Sequence, residues 1–305
     1  MSAGGDNRAI IAALGANVGI AVTKFIAFLL TASSSMLAES VHSLADSGNQ
    51  ALLLIGGKRA RREADEAHPF GYGRERYLYA FIVSIVLFSL GGLFALFEAW
   101  HKWQEPHAID SWRWVPVVVL LAAMVMEGFS LRTAITAANH TRGEQSWVSF
   151  IRTAKAPELP VVLLEDAGAL VGLVLALFGV EMTLATEDGR WDAAGTACIG
   201  GLLVTIAVVL AIETRSLLLG ESATKQDVAA IEAALVGGGV LSVIHLRTMH
   251  LGPEELLVAA KIEIEPHATA PEIASAIDDA ERRARAAVPI ARLIYLEPDL
   301  REPGS

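Results

Sequence analysis

Apolar residues gather in six long runs, at 9–31, 35–57, 77–100, 114–138, 160–181 and 193–217, and no run of that length recurs after residue 220. A helix rises about 1.5 Å per residue, so about 20 apolar residues cross a hydrocarbon layer of about 30 Å. Each run therefore predicts a membrane-spanning helix. The first, preceded by Arg8, is too long for the apolar core of a signal peptide and lacks a convincing cleavage site, so it reads as a retained span. Beyond Leu219 the pattern is that of a small soluble module. A helical stretch, Asp227 to Leu235, ends at Gly237-Gly238-Gly239, and Val240 opens a strand. Val258, Ala260, Ile262 and Ile264 alternate with Ala259, Lys261 and Glu263 as in a half-buried strand. Thr269 with Glu272 forms a capping box before Ile273, Ala276, Ile277 and Ala280, and Arg292 to Leu296 reads as a last strand. The predicted fold is an all-α six-helix transmembrane bundle, residues 1–218, followed by an α+β domain of αββαβ order, residues 219–305.

Composition agrees with a membrane protein: 53% of residues are hydrophobic and 19% charged, with a mean hydropathy of +0.46. One cysteine, Cys198, cannot build a disulfide framework or a cysteine metal cluster within the chain. The net charge of -10 argues against nucleic acid as a partner. Lys58, Arg59, Arg61, Arg62, Arg74 and Arg76 fall between the second and third runs, and Arg142, Arg152 and Lys155 between the fourth and fifth. The opposite loops carry only Lys102, Arg113 and Arg190. This bias predicts that both termini and the C-terminal domain are cytoplasmic, with Trp100, Trp103, Trp112 and Trp114 as an outer interfacial belt. Gly15 with Gly19, and Gly168 with Gly172, have the spacing that allows close helix approach.

Ionisable groups inside the spans carry the chemistry, because each costs about 2.5–3.5 kcal/mol to place in mid-membrane. Glu39, His42 and Asp46 stand at i, i+3 and i+7, on one face of the second span. One imidazole and one carboxylate a turn apart can hold the same ion. Glu165 and Asp166 are adjacent in the fifth span, behind Pro160 in its first turn. Neighbours on a helix diverge by about 100°, so a regular helix turns one of them towards the point His42 and Asp46 face. Together the half-sites make a nitrogen and oxygen donor set of the kind that suits Zn²⁺, Co²⁺ or Mn²⁺. The plainer alternative is a buried His–Asp hydrogen bond with an acidic pair lining a water pocket. Lys24, free to snorkel or to pair with an acid, Asn17 and Asn49, and Glu127 beside Arg132 read as structural polar groups.

The stretch Ser34-Ser35-Met36-Leu37-Ala38-Glu39-Ser40-Val41-His42-Ser43-Leu44-Ala45-Asp46 is followed by His68-Pro69-Phe70-Gly71-Tyr72-Gly73-Arg74-Glu75-Arg76 and, later, by Ser216-Leu217-Leu218-Leu219-Gly220-Glu221-Ser222. These motifs, in this order over nearly the whole chain, resemble the cation diffusion facilitator family. The resemblance implies a homodimeric, multi-pass exporter of divalent metal, usually zinc, exchanged for protons, with the transport site between helices two and five and a metallochaperone-like cytoplasmic domain. His42 and Asp46 match the helix-two ligands. In helix five Asp166 matches, but Val162 stands where the family has another ligand, which leaves Glu165, water or a polar neighbour to complete the shell. An acidic pair at that place is similar to the branch that contains zinc transporter nine. The family's loop site matches at Asp65 and His68, with Tyr72 in place of a histidine. In the C-terminal domain Ile244, Lys261 and Tyr295 occupy positions that bind metal in some relatives, and His245, His250 and His267 read as solvated or structural. Arg74 and Glu213 match an inter-helix ion pair of the family.

Metal binding needs neutral His42 and ionised carboxylates, so one site can couple metal and proton fluxes. No H-E-x-x-H, G-x-S-x-G or Gly-rich phosphate loop supports an enzyme, and no resident cofactor is expected beyond the transported Zn²⁺ and H⁺. The alternatives are export of Mn²⁺, Co²⁺ or Fe²⁺, or a membrane-anchored metal sensor or scaffold. Without an Arg- and Ser-rich transit segment, the expected location is a bacterial plasma (inner) membrane.

Overall fold

The computed structural model describes residues 3–109 and 111–300, with side chains from Asn17 onward; the side chain of Arg8, and Gly15 of the Gly15–Gly19 spacing, lie outside that range. Helices α1 (Ala3–Thr31) and α2 (Ser34–Ala60) are followed by α3 (Glu75–Val86), which runs through a π-helical stretch at Leu87–Leu93 into α4 (Phe94–Gln104). Then come α5 (Trp114–Arg142), the short α6 (Trp147–Thr153), α7 (Glu158–Thr186) and α8 (Arg190–Leu219). The C-terminal elements are α9 (Lys225–Leu235), β1 (Val240–Gly252), β2 (Glu255–Ile264), α10 (Ala270–Ala287) and β3 (Ala291–Asp299). Among the described residues four helices are long and apolar enough to cross a membrane: 75–104, 114–142, 158–186 and 190–219. The described apolar part of α1, Asn17–Thr31, is shorter, and α2 carries Glu39, His42, Asp46 and Asn49 along its length.

The chain divides into two compact units, Met1–Gly57 with Leu78–Thr214, and Lys58–Tyr77 with Arg215–Ser305. In the first, Met36, Leu87, Leu120, Leu173, Ile199, Leu203 and Leu210 form the core. Glycines set how closely the helices approach. A Cβ on Gly168 would come 2.5 Å from Ile206 Cδ1, and one on Gly172 would come 3.0 Å from Glu39 Oε1, so α8 and α2 lie against α7 where it has no side chain. Within the π-helical stretch, a Cβ on Gly92 would stand 2.6 Å from Val204 Cγ2 of α8.

In the second unit β2 pairs antiparallel with β1 and parallel with β3, giving the order β1-β2-β3. Leu256, Val258, Ala260, Ile262 and Ile264 alternate along β2 and join Ile231 and Leu235 of α9 and Ala276, Ala280 and Ala284 of α10 in one core. Thr224 caps α9, accepting from Asp227 N at 3.1 Å, and the Thr269–Glu272 capping box starts α10. Gly237, Gly238 and Gly239 take φ of 104°, 61° and 101°, which suits the break after α9. Arg283 donates from Nε to Ala234 O at 2.8 Å and from Nη2 to Leu235 O at 3.0 Å, satisfying carbonyls at the end of α9.

Candidate functional site

Helix α2 organises the polar interior of the first unit, beginning with its own N-terminus. The first amides of a helix have no partner within it. Here Asp192 of α8, fully buried, supplies one: its Oδ2 accepts from Ser34 N at 2.7 Å and Ser34 Oγ at 3.1 Å, its Oδ1 from Ser33 Oγ at 3.0 Å and Ser35 N at 3.3 Å. Thr183 Oγ1 accepts from Asp192 N at 2.9 Å, and Thr196 Oγ1 bonds the Oγ atoms of Ser34 and Ser35 at 3.0 Å each. Lys102 Nζ donates to Ala32 O at 2.8 Å. A negative charge here also answers the positive end of the α2 dipole.

Further along, the face defined by Glu39, His42 and Asp46 turns inward. Lys24 of α1 pairs with Glu39 Oε2 at 2.9 Å and donates to Ser43 Oγ at 2.8 Å. His42, 1% exposed, lies with Nε2 3.5 Å from Asp46 Oδ2, too poorly placed for a hydrogen bond. Among the described residues neither ring nitrogen of His42 has a hydrogen-bond partner, nor does Asp46 Oδ1, Asn49 Oδ1 or Glu39 Oε1. Gly91 of the π-helical stretch leaves room beside the ring, since a Cβ there would stand 3.7 Å from His42 Nδ1. π-helical turns recur at functional sites for this kind of reason.

The adjacent acids of α7 diverge as helix geometry requires. Glu165 Oε1 accepts from Asn49 Nδ2 of α2 at 2.7 Å, whereas Asp166 Oδ2 accepts from Ser130 Oγ of α5 at 2.8 Å. Asp46 lies within electrostatic reach of Asp166, and Glu165 within reach of Asp46. Glu127 of α5, which the sequence suggested might pair with Arg132, interacts electrostatically with Asp46, Asp166 and His42 instead, so a fifth carboxylate borders the pair. Asn17 bonds Gln50 at 3.3 Å, joining α1 to α2. Among the described residues no three His, Cys, Asp or Glu side chains form a closed ligand cluster as they stand. The arrangement is a His–Asp pair with unused lone pairs, bordered by Glu165 and Asp166, each steadied by one neutral side chain. Imidazole nitrogen and carboxylate oxygen are donors for a borderline divalent cation such as Zn²⁺.

The remaining candidates lie in the second unit. Asp65 staples a turn: Oδ1 accepts from His68 N at 2.8 Å, Oδ2 from Tyr72 Oη at 2.7 Å, and His68 Nδ1 lies 3.6 Å from Oδ1. The Tyr72 bond, with the His68 amide, holds the Asp65 carboxyl below its usual range, and the same bond pushes the Tyr72 hydroxyl up. Arg74 Nη2 donates to Met249 Sδ at 3.2 Å, and Glu213 sits on α8 of the first unit. Lys261 pairs with Asp299 at 2.6 Å and Glu297 at 3.6 Å, while Tyr295 is exposed. His245 and His267 are exposed, and His250 is buried with Nδ1 3.3 Å from Gly252 O.

Residues 10–219 match the Cation efflux transmembrane domain. The chain is 28% identical over 264 residues to "Proton-coupled zinc antiporter SLC30A9, mitochondrial" of Xenopus laevis, covering 86% of this chain and 47% of that protein. The Homo sapiens protein of the same name is 26% identical, with 86% and 46% covered. "Metal tolerance protein C4" of Arabidopsis thaliana is 28% identical, with 85% and 57% covered. The chain spans about half the length of these curated relatives. With the domain match running through every helix that lines the His42–Asp46 pair, the chain belongs to the cation efflux, or cation diffusion facilitator, family.

Proposed function

We propose that the chain is a secondary transporter that exports a divalent cation, zinc before manganese, cobalt or iron, in exchange for protons. The observation that carries this reading is the buried His42–Asp46 pair, whose donor atoms are unused and which faces the acids of α7. Removing two such groups from water is costly without a ligand to satisfy them. His42, Asp46 and Asp166 hold the cation, with Glu165 completing the shell. They must shed protons to bind it and release it when reprotonated, so one site couples both fluxes. The names of the zinc antiporter relatives support zinc and proton coupling.

In this reading α1, α2, the helix from 75 to 104, α5, α7 and α8 make six spans that rock to expose the site alternately. Residues 1–218 form the membrane domain and 219–305 a cytoplasmic domain for regulation and dimerisation. The working unit is a homodimer in a plasma membrane, with both termini on the cytoplasmic side given by the loop lysines and arginines. Zinc uptake into proteoliposomes with an imposed pH gradient tests the proposal. Parent flux should follow the gradient, and Asp46→Ala or Asp166→Ala should abolish it. Flux of another metal alone would reassign the substrate, and no flux of any metal would favour the sensor or scaffold role.

A further inference from the structure

His42 has a carboxylate on either side of it along α2. Asp46 is one turn later at i+4, and Glu39 one turn earlier at i−3. Either spacing brings Cβ atoms within about 5–6 Å, so either acid could share a cation with the imidazole. Both cannot do so readily, because Glu39 and Asp46 are seven residues, roughly 10 Å of helix rise, apart. The two acids differ in what already holds them. Asp46 has one oxygen 3.5 Å from the imidazole and the other unpartnered. Glu39 has its Oε2 taken by Lys24 Nζ at 2.9 Å, and Ser43 Oγ at 2.8 Å fixes that ammonium.

The Lys24–Glu39 pair is fully enclosed, with both side chains 1% exposed or less. Glu39 Oε1 has no hydrogen-bond partner and sits beside Gly172, in space that a Cβ would encroach upon at 3.0 Å. Glu39 is therefore oriented into the protein with a lone pair to spare, and Lys24 is what stands between it and ligation. The ammonium also acts electrostatically on His42 and Asp46.

We propose that Lys24 selects the ligand set: by occupying Glu39 it makes Asp46, and not Glu39, the carboxylate that shares the cation with His42. This rests on the reading of His42 and Asp46 as ligands. Lys24 acts through Glu39 and is a positioning residue. A role in packing alone would leave no route by which removing Lys24 could restore metal binding.

The test is zinc binding by titration calorimetry on the full-length chain in lipid nanodiscs. Asp46→Asn alone should weaken zinc by more than about 100-fold, beyond the 10–100-fold typical of outer-shell groups. Adding Lys24→Met should recover at least about tenfold, or 1.4 kcal/mol, as Glu39 takes the vacated role. Adding Glu39→Gln should abolish the recovery. No recovery in a folded Lys24→Met/Asp46→Asn protein overturns the proposal, and Lys24→Gln serves where the methionine variant does not fold. Glu39→Gln in the parent gives an independent check: zinc affinity within about threefold supports the assignment, and a loss above about 30-fold, or 2 kcal/mol, overturns it by making Glu39 a ligand already. A parent that binds no zinc, or an Asp46→Asn variant that binds it unchanged, overturns the site reading itself and the Lys24 assignment with it, and shows this before Lys24 is touched.

Discussion

Two buried carboxylates serve the same helix in opposite ways. Asp192 at the start of α2 has both oxygens occupied, two by two, with backbone amides and serine hydroxyls. Asp46, twelve residues into α2, has one oxygen without a hydrogen-bond partner and the other 3.5 Å from a histidine whose ring nitrogens are also unpartnered. Both lie in the helical unit and both are costly to bury. A saturated carboxylate fastens one helix to another, whereas an unsaturated one holds binding capacity in reserve. Satisfaction of lone pairs, more than burial or charge, separates the structural acid from the ligand.

Exchanging the roles in experiment is the strongest way to break this contrast. Asp192→Ala strands buried donors at the α2 N-terminus and should lower the stability of the metal-free protein by about 3–5 kcal/mol, the range for breaking a buried charged network. Thermal or denaturant unfolding in detergent measures it, and a loss below 1 kcal/mol would deny Asp192 its fastening role. His42→Leu should do the reverse. Zinc affinity should drop more than about 100-fold, near 2.7 kcal/mol. The metal-free melt should move by less than about 1 kcal/mol, because no hydrogen bond is lost.

The smallest expected effect is at Asp65, a saturated carboxylate in water. Its folded-state value is depressed, so the turn is supported above the ordinary aspartate range and loses that support as pH falls through the folded value. Tyr72→Phe removes the largest cause and should raise the midpoint of the Asp65 carboxyl, followed by its ¹³C shift in an acid titration. An unchanged midpoint would leave the His68 amide as the turn's main support.

Much of the architecture was legible because its signals are local. The apolar runs mark the helices to within a few residues, and period-two alternation marks β2. The i, i+3, i+7 face of α2 needed only a helical wheel, and the Thr269–Glu272 capping box is written in four residues. What escaped the sequence depends on contacts across long separations. Asp192 sits 158 residues from Ser34 and looks like a polar residue flanking a span. Its only trace was Ser33-Ser34-Ser35 opening a helix with no acid nearby to cap it. Likewise Glu127 could be set beside Arg132 by proximity in sequence, while its neighbours in space come from α2 and α7. The divergence of Glu165 and Asp166 followed from helix geometry, but not which partner each would find.

The π-helical stretch at Leu87–Leu93 has a bearing on evolution by insertion and deletion. Such a turn accommodates one residue more than an α-helix would, and one residue corresponds to about 100° of rotation about the axis. Deleting a residue there would restore uniform winding and rotate everything from Phe94 onward by that angle. Lys102, whose ammonium meets Ala32 O at 2.8 Å, would swing away from the α1–α2 corner. Gly92 would no longer present its bare backbone to Val204. The wide turn is thus a phase correction: it lets the half of the helix beside His42 and the half that supports the α1–α2 corner each keep its own angular setting, and it makes the spacing between them intolerant of single-residue indels.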